Sequence, residues 1–167
     1  PALVYISQPT EYGTLYSLEE LEELSAVCRE RDLKLFVDGA RLAYALASPA
    51  NDVTLADLAR LTDVFYIGGT KCGSLFGEAV VIPERGSIRQ FVTQMKQHGA
   101  LLAKGRLLGV QFEALFEDGL YLTIGEPAVK ATARIREALK RAGYVVTMDS
   151  PTNLTFVALD QAGHERL

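Results

Sequence analysis

The sequence has no apolar run approaching the roughly 20 residues a membrane-spanning helix needs, and no signal-like segment opens it. It has no run of lysine or arginine, and its formal net charge is −4. Nothing electrostatic therefore points to nucleic acid or an anionic membrane surface as a partner. Cysteine is scarce: Cys28 and Cys72 stand far apart, in no metal-like spacing. Two such thiols read as free rather than bridged, which fits a reducing cytoplasm. Internal repeats and low-complexity tracts are missing as well.

What remains is ordinary globular composition. Of 167 residues, 49% are hydrophobic and 23% charged, enough for one domain with a core. Both ends read as cut. Pro1 stands directly before an apolar run, and the chain stops just after a charged, helix-starting stretch at 160–166. The expectation is a piece of a longer protein.

Short continuous apolar runs predict buried strands at 2–7, 33–37 and 64–67, and a fourth at 79–82. Ser17 opens a helix that ends near Arg31, with Glu20 completing a capping box. Its apolar stripe is Leu18, Leu21, Leu24 and Val27 or Cys28. Residues 40–47 and a Thr54-capped segment to Leu61 read as short helices. The fourth strand follows the third too quickly for a helical crossover, so it pairs antiparallel. Helical spacing returns at 87–102 and 106–116, and Pro127 starts a helix through about Ala142, ended by Gly143. Residues 144–148 and 154–159 read as further strands. Strands that alternate with helices and are apolar on both faces predict a mostly parallel sheet with helices on both faces. In such sheets ligands bind at the carboxyl ends of the strands.

Two charged residues stand at those ends. Asp38 closes the run Leu33-Lys34-Leu35-Phe36-Val37. A carboxylate there needs a cation or strong donors. It reads either as the cap of the following helix or as the partner of a protonated ring nitrogen, which it keeps charged. Arg41, three residues on, reads as a salt-bridge partner of Asp38, a surface charge, or a fork for a substrate carboxylate. Lys71 lies in the turn Gly68-Gly69-Thr70-Lys71-Cys72-Gly73, with no acidic residue within six positions. An exposed loop lysine is the plain reading. A phosphate loop of the Gly-x-x-x-x-Gly-Lys-Ser/Thr kind is ruled out by Phe65, Thr70 and Cys72 in its fixed places. The third reading is a lysine that bonds to a carbonyl carbon.

These segments resemble a known family. Val37-Asp38-Gly39-Ala40-Arg41-Leu42 resembles the Asp-Gly-Ala-Arg motif of the threonine aldolases, within the β-eliminating lyase group of fold-type I pyridoxal-phosphate enzymes. Ile67-Gly68-Gly69-Thr70-Lys71-Cys72-Gly73 is similar to the lysine segment of that family, at a similar distance from the first motif. The stretch from Met95-Lys96-Gln97-His98-Gly99 to Leu102-Ala103 resembles its Met-Arg-Gln-x-Gly-x-Leu-Ala segment. The likeness runs from about Tyr5 to Asn153.

The resemblance implies an α/β fold that is part of the large domain of a fold-type I enzyme. Residues 1–120 would belong to the pyridoxal-phosphate-binding domain, and 121–167 to a linking helix and the start of a small C-terminal domain. It implies pyridoxal 5′-phosphate as cofactor, with Asp38 on the pyridine nitrogen and Lys71 on the aldehyde carbon. Arg41 would hold the amino-acid carboxylate. Thr70 falls where many members carry serine. Lys96 falls where the family has an arginine that reaches the cofactor phosphate of a neighbouring subunit; it keeps the charge but not the planar fork.

The activity implied is cleavage of the Cα–Cβ bond of a β-hydroxy amino acid by a homodimer or homotetramer with its site near the subunit interface. Another β-eliminating lyase, an aminotransferase, or a non-catalytic dimerisation module are the alternatives. The family's phosphate-cradling loop and stacking histidine lie upstream of the first motif, and a second carboxylate-binding arginine lies downstream. His98 is expected on a helix near the interface and His164 on the surface, neither in those roles. Loop polarity explains Ser7, Gln8, Thr10 and Glu11 nearly as well as a place in the cleft. Glu78 is expected to pair with Thr70 or the backbone, and Cys72 to be a small filler. Leu101-Leu102 and Leu107-Leu108 are expected in core or dimer packing.

Overall fold

The structure is a computed structural model and describes residues 3–165. Ala2 of the first expected strand and Arg166 of the last expected helix lie outside the described residues. Strand β1 (Leu3–Ser7) is followed by helix α1 (Leu18–Glu30), β2 (Lys34–Asp38), α2 (Leu42–Leu46), α3 (Leu55–Leu61), β3 (Val64–Gly68) and β4 (Glu78–Val81). These four strands form one sheet in the order β1-β2-β3-β4. The first three run parallel and β4 returns antiparallel to β3. No helix among the described residues is long and apolar enough to cross a membrane.

Local sequence accounts for the early elements. The Ser17 side chain accepts from the Glu20 N–H, and Glu20 accepts from the Ser17 N–H. Thr54 and Asp57 do the same for α3, so each helix start has two otherwise orphan donors satisfied. The buried stripe of α1 is Leu21, Ser25 and Cys28, while Val27 is exposed. Ser25 is tolerated in the core because its hydroxyl donates to the Leu61 carbonyl at 2.6 Å.

Strand side chains alternate between faces. One face of the sheet sends Val37, Phe65 and Ile67 into a core shared with Leu21, Leu42, Leu58, Leu115 and Tyr121. Burying side chains of this size contributes about 1.5–3 kcal/mol each. The other face carries Tyr5, Phe36 and Tyr66. Phe36 stacks on Tyr5 with ring centroids 5.2 Å apart and meets Tyr66 edge-on at 5.7 Å.

The second half departs from expectation in detail. A helix expected over 87–102 is reduced to α4 (Phe91–Gln97). Gln90 at φ 52° and Gly99 at φ 72° stand outside its two ends, and left-handed residues do not continue a right-handed helix. Helix α5 (Arg106–Phe116) is as expected. It is followed by a 3₁₀ turn (Glu117–Gly119) and a short helix α6 (Leu120–Thr123), both unforeseen. Tyr121 in α6 is fully buried, so one aromatic anchor explains that helix better than any periodicity. Helix α7 (Glu126–Arg141) has Pro127 in its first turn.

Strands expected over 144–148 and 154–159 shrink to β5 (Val145–Val146) and β6 (Val157–Ala158), a separate antiparallel pair. A final short helix α8 (Gln161–His164) is capped by Asp160. Leu101, Leu102 and Leu107 are exposed in this chain.

Long-range bonds tie this second half to the loop between β1 and α1. Ser150 and Thr152 are buried, and both hydroxyls donate to the Gly13 carbonyl, at 3.1 and 3.0 Å. Gly13 has φ 77°, and a Cβ there would stand 2.2 Å from Ser150 Oγ. Only glycine fits both the angle and the approach.

Candidate active site

Asp38, Arg41 and Lys71 all lie at or just beyond the carboxyl ends of the parallel strands. Asp38 is the last residue of β2, and Lys71 stands three residues beyond β3. Backbone contact draws the two segments together: the Gly68 N–H donates to the Gly39 carbonyl at 2.9 Å. A Cβ on Gly68 would stand 2.3 Å from the Ala40 carbonyl oxygen. Lys71 is exposed, and no ion pair holds it among the described residues. Its positive charge nevertheless acts on Asp38.

The Asp38 carboxylate is prepared to stay ionised. Oδ1 accepts from the Ala40 N–H at 2.9 Å, and Oδ2 accepts from the Tyr5 hydroxyl. Partial burial works against the charge. Hydrogen bonds from Tyr5 and Ala40, the neighbouring Tyr66 hydroxyl and the Lys71 ammonium outweigh it and hold the group below the usual aspartate range. The tyrosines respond in the opposite sense. Donation to Asp38, then burial, pushes the Tyr5 phenol up. Burial, then Asp38, pushes the Tyr66 phenol up further.

Sequence reasoning missed both tyrosines, because their roles depend on strand register. Tyr5 pairs with Phe36, two residues before Asp38. Tyr66 lies two residues before Gly68 on the next strand. Placing the three strands in register is the signal that would have found them.

Arg41 is half-buried ahead of α2, and its Nη1 lies 3.5 Å from Glu11 Oε2. Ser7 Oγ donates to the other oxygen of Glu11 at 3.4 Å. Gln8, which reads as loop polarity in the sequence, is fully buried. It donates to the Tyr16 carbonyl and accepts from the Tyr16 N–H, both at 3.0 Å, and so shapes the loop that carries Glu11.

Around Lys71, the Tyr44 hydroxyl donates to its carbonyl. Glu78 accepts from the Gly69 N–H and the Thr70 hydroxyl. Cys72 packs against the core, its thiol donating to the Gly68 carbonyl at 3.2 Å. Lys96 and His98 are exposed on α4 and at its end, and no hydrogen bond or ion pair links either to Asp38 or Lys71. His164 is exposed on α8.

An acid kept ionised and a lysine with no ion pair among the described residues stand at and beyond neighbouring strand ends, a pair of opposite charges. Their chemistry suits a group that carries a protonated ring nitrogen and an aldehyde. The charges, the donor set and the backbone contact between the two segments agree with that group.

The model of the beta-eliminating lyase family matches residues 1–162. A low specificity L-threonine aldolase from a Pseudomonas species is 39% identical over 73% of this chain and 35% of its own length. Another, from Pseudomonas aeruginosa, is 32% identical over 100% of this chain and 49% of its own. A solved structure of a Leishmania major threonine aldolase superposes with a TM-score of 0.93 at 49% identity. It covers 97% of this chain and 47% of the Leishmania chain. The fold is thus α/β, of the fold-type I kind, and the chain spans half or less of the length of these relatives.

Proposed function

The chain belongs to the beta-eliminating lyase family, and from that membership we propose that it carries the cofactor-holding part of a pyridoxal-phosphate-dependent aldehyde-lyase. The reaction is cleavage of the Cα–Cβ bond of a β-hydroxy amino acid, of the type that takes threonine to glycine and acetaldehyde. One observation carries the reading. Asp38, kept ionised, and Lys71, free of any ion pair among the described residues, converge from adjacent strand ends. The three relatives described above, all named as threonine aldolases, support it.

Bound there, pyridoxal phosphate would supply the sink for the electron pair released when the substrate bond breaks. The chain's own residues do the holding and orienting. Asp38 retains the proton on the pyridine nitrogen. Lys71 offers the amine for the aldehyde carbon, from a turn that also holds Thr70. Arg41 turns its guanidinium from Glu11 to the substrate carboxylate and so fixes which bond at Cα faces the ring. Lys96, exposed on α4, serves the phosphate of a neighbouring subunit in a homo-oligomer. Residues 1–120 form the cofactor-binding part, and 121–167 lead into a smaller domain.

The test is chemical. The full-length protein is mixed with pyridoxal phosphate, reduced with borohydride, and the modified peptide is located. Modification at Lys71 is expected, together with acetaldehyde and glycine from threonine. Ammonia and a keto acid as the only products would refute the bond assignment. A Lys71→Ala variant that binds and turns over like the parent would remove the basis for the reading altogether.

A further inference from the structure

The turn that carries Lys71 is braced by one carboxylate. Glu78 stands opposite Gly68 in the antiparallel register of β3 and β4. Its two oxygens take separate donors. Oε2 accepts from the Gly69 N–H at 2.6 Å, and Oε1 accepts from the Thr70 hydroxyl at 3.0 Å. These donors belong to the two residues immediately before Lys71. Hydrogen bonds to an ionised acceptor are roughly twice as strong as neutral ones. No lysine or arginine among the described residues forms an ion pair with Glu78, so its hydrogen bonds go to the turn.

Other groups complete the brace. Tyr121 donates to the Gly68 carbonyl at 2.7 Å, and Tyr44 donates to that of Lys71. Of the three side chains, only Glu78 is charged and only Glu78 grips two successive residues. Within the turn, the Cys72 and Ser74 N–H groups both donate to the Gly69 carbonyl at 3.0 Å, and the remaining freedom lies at its glycines. Gly69 lacks a side chain, and Gly73 at φ 131° permits many paths.

We propose that Glu78 is the positioning residue for Lys71. It sets the direction in which the lysine side chain leaves the turn, and thereby the rate at which the amine reaches the cofactor aldehyde. The inference rests on the reading of Lys71 given above. The step served is a condensation. The amine lone pair attacks the aldehyde carbon and a carbon–nitrogen double bond forms. The carbonyl oxygen leaves as water, taking the two amine protons. Glu78 forms no ion pair with the amine; it acts through Gly69 and Thr70. The Thr70 hydroxyl, donated to Glu78, belongs to the same brace.

The experiment measures capture of pyridoxal phosphate by the full chain as cofactor concentration rises, quenching with borohydride and quantifying the Lys71 adduct. In Glu78→Gln the limiting capture rate is expected to fall on the order of ten- to a hundred-fold, the scale of a misplaced reacting group. The cofactor concentration giving half the limiting rate should stay within about two-fold, because Glu78 is not placed on the cofactor. Glu78→Asp, which keeps the charge, should recover part of the rate. In the cofactor-free chain, amide exchange at Gly69 should rise in Glu78→Gln.

An unchanged limiting rate in Glu78→Gln, even with lowered thermal stability, overturns the proposal. If that variant fails to fold, Thr70→Val decides. It removes one of the two bonds, and a rate equal to the parent's counts against Glu78. A parent that captures no cofactor at Lys71 brings down the lysine reading and this inference together. A capturing parent with variants of equal speed refutes Glu78 alone.

Discussion

The Tyr5 hydroxyl donates to Asp38 Oδ2 across the β1–β2 boundary. It makes the acid's ionisation a property of two strands rather than one residue. Tyr5→Phe keeps the stacked ring on Phe36 and removes only the donor. The Asp38 pKa, held below the usual range, should then rise. A depressed folded pKa contributes stability that is complete above the unfolded value of about 3.9 and is lost as pH falls through the folded value. The variant should therefore be less stable than the parent above about pH 4, and the two should converge as pH falls through their folded values. Carboxyl-carbon NMR of Asp38 and acid unfolding curves measure this. Coincident titration curves would show that Tyr5 does not hold the charge.

Arg41 faces Glu11 at 3.5 Å with Glu11 well exposed. A pair so open to solvent is worth about 0–1 kcal/mol, yet a substrate carboxylate must compete with it for the same guanidinium. Glu11→Gln should lower KM for the amino acid by up to about 5-fold, the factor that 1 kcal/mol represents, and leave kcat nearly unchanged. The advantage should shrink as salt screens the pair. A KM that rises would mean that Glu11 orients Arg41 instead of competing for it.

Whatever rests on neighbours in sequence was legible: the Ser17–Glu20 box, the apolar strand cores, Asp38 and Arg41 at one strand end, Lys71 in its glycine turn. The pairing of Glu78 with Thr70 and the backbone was legible too, because the quick return of β4 sets Glu78 opposite Gly68. Tyr5 and Tyr66 were not, since their partner is fixed by register between strands far apart in sequence. Gln8 was unreadable for a related reason. A buried amide that closes a loop onto Tyr16 has the same local signature as surface polarity. The overlong helix at 87–102 failed differently: spacing registered the apolar residues but not the left-handed backbone at Gln90.

Gly68 is where β3 meets the Asp38 loop with no room to spare. A methyl group would stand 2.3 Å from the Ala40 oxygen and 2.5 Å from its carbon. These are backbone atoms and cannot swing away. Gly68→Ala should cost at least about 3 kcal/mol, at the severe end of overpacking. Gly109 in α5 has nothing within 4 Å of the same position, so Gly109→Ala should stabilise by about 0.5–1 kcal/mol through helix propensity. Urea midpoints of the pair decide. Equal midpoints would mean that the strand and loop separate easily.

Tyr121 couples the core to the lysine turn, since its fully buried hydroxyl donates to the Gly68 carbonyl at 2.7 Å. Tyr121→Phe keeps the ring against Phe116 and leaves that carbonyl with the weaker Cys72 thiol donor. The expected loss at neutral pH is about 1–2 kcal/mol. Burial pushes the phenol pKa up, so the folded state favours the neutral form. That contribution is complete below the unfolded tyrosine value of about 10 and is lost as pH rises through the folded one. The parent should therefore lose stability in alkali faster than the variant, and their urea midpoints should converge above roughly pH 10. Coincident urea midpoints at neutral pH would place Tyr121's contribution in its ring alone and leave the Gly68 carbonyl to other donors.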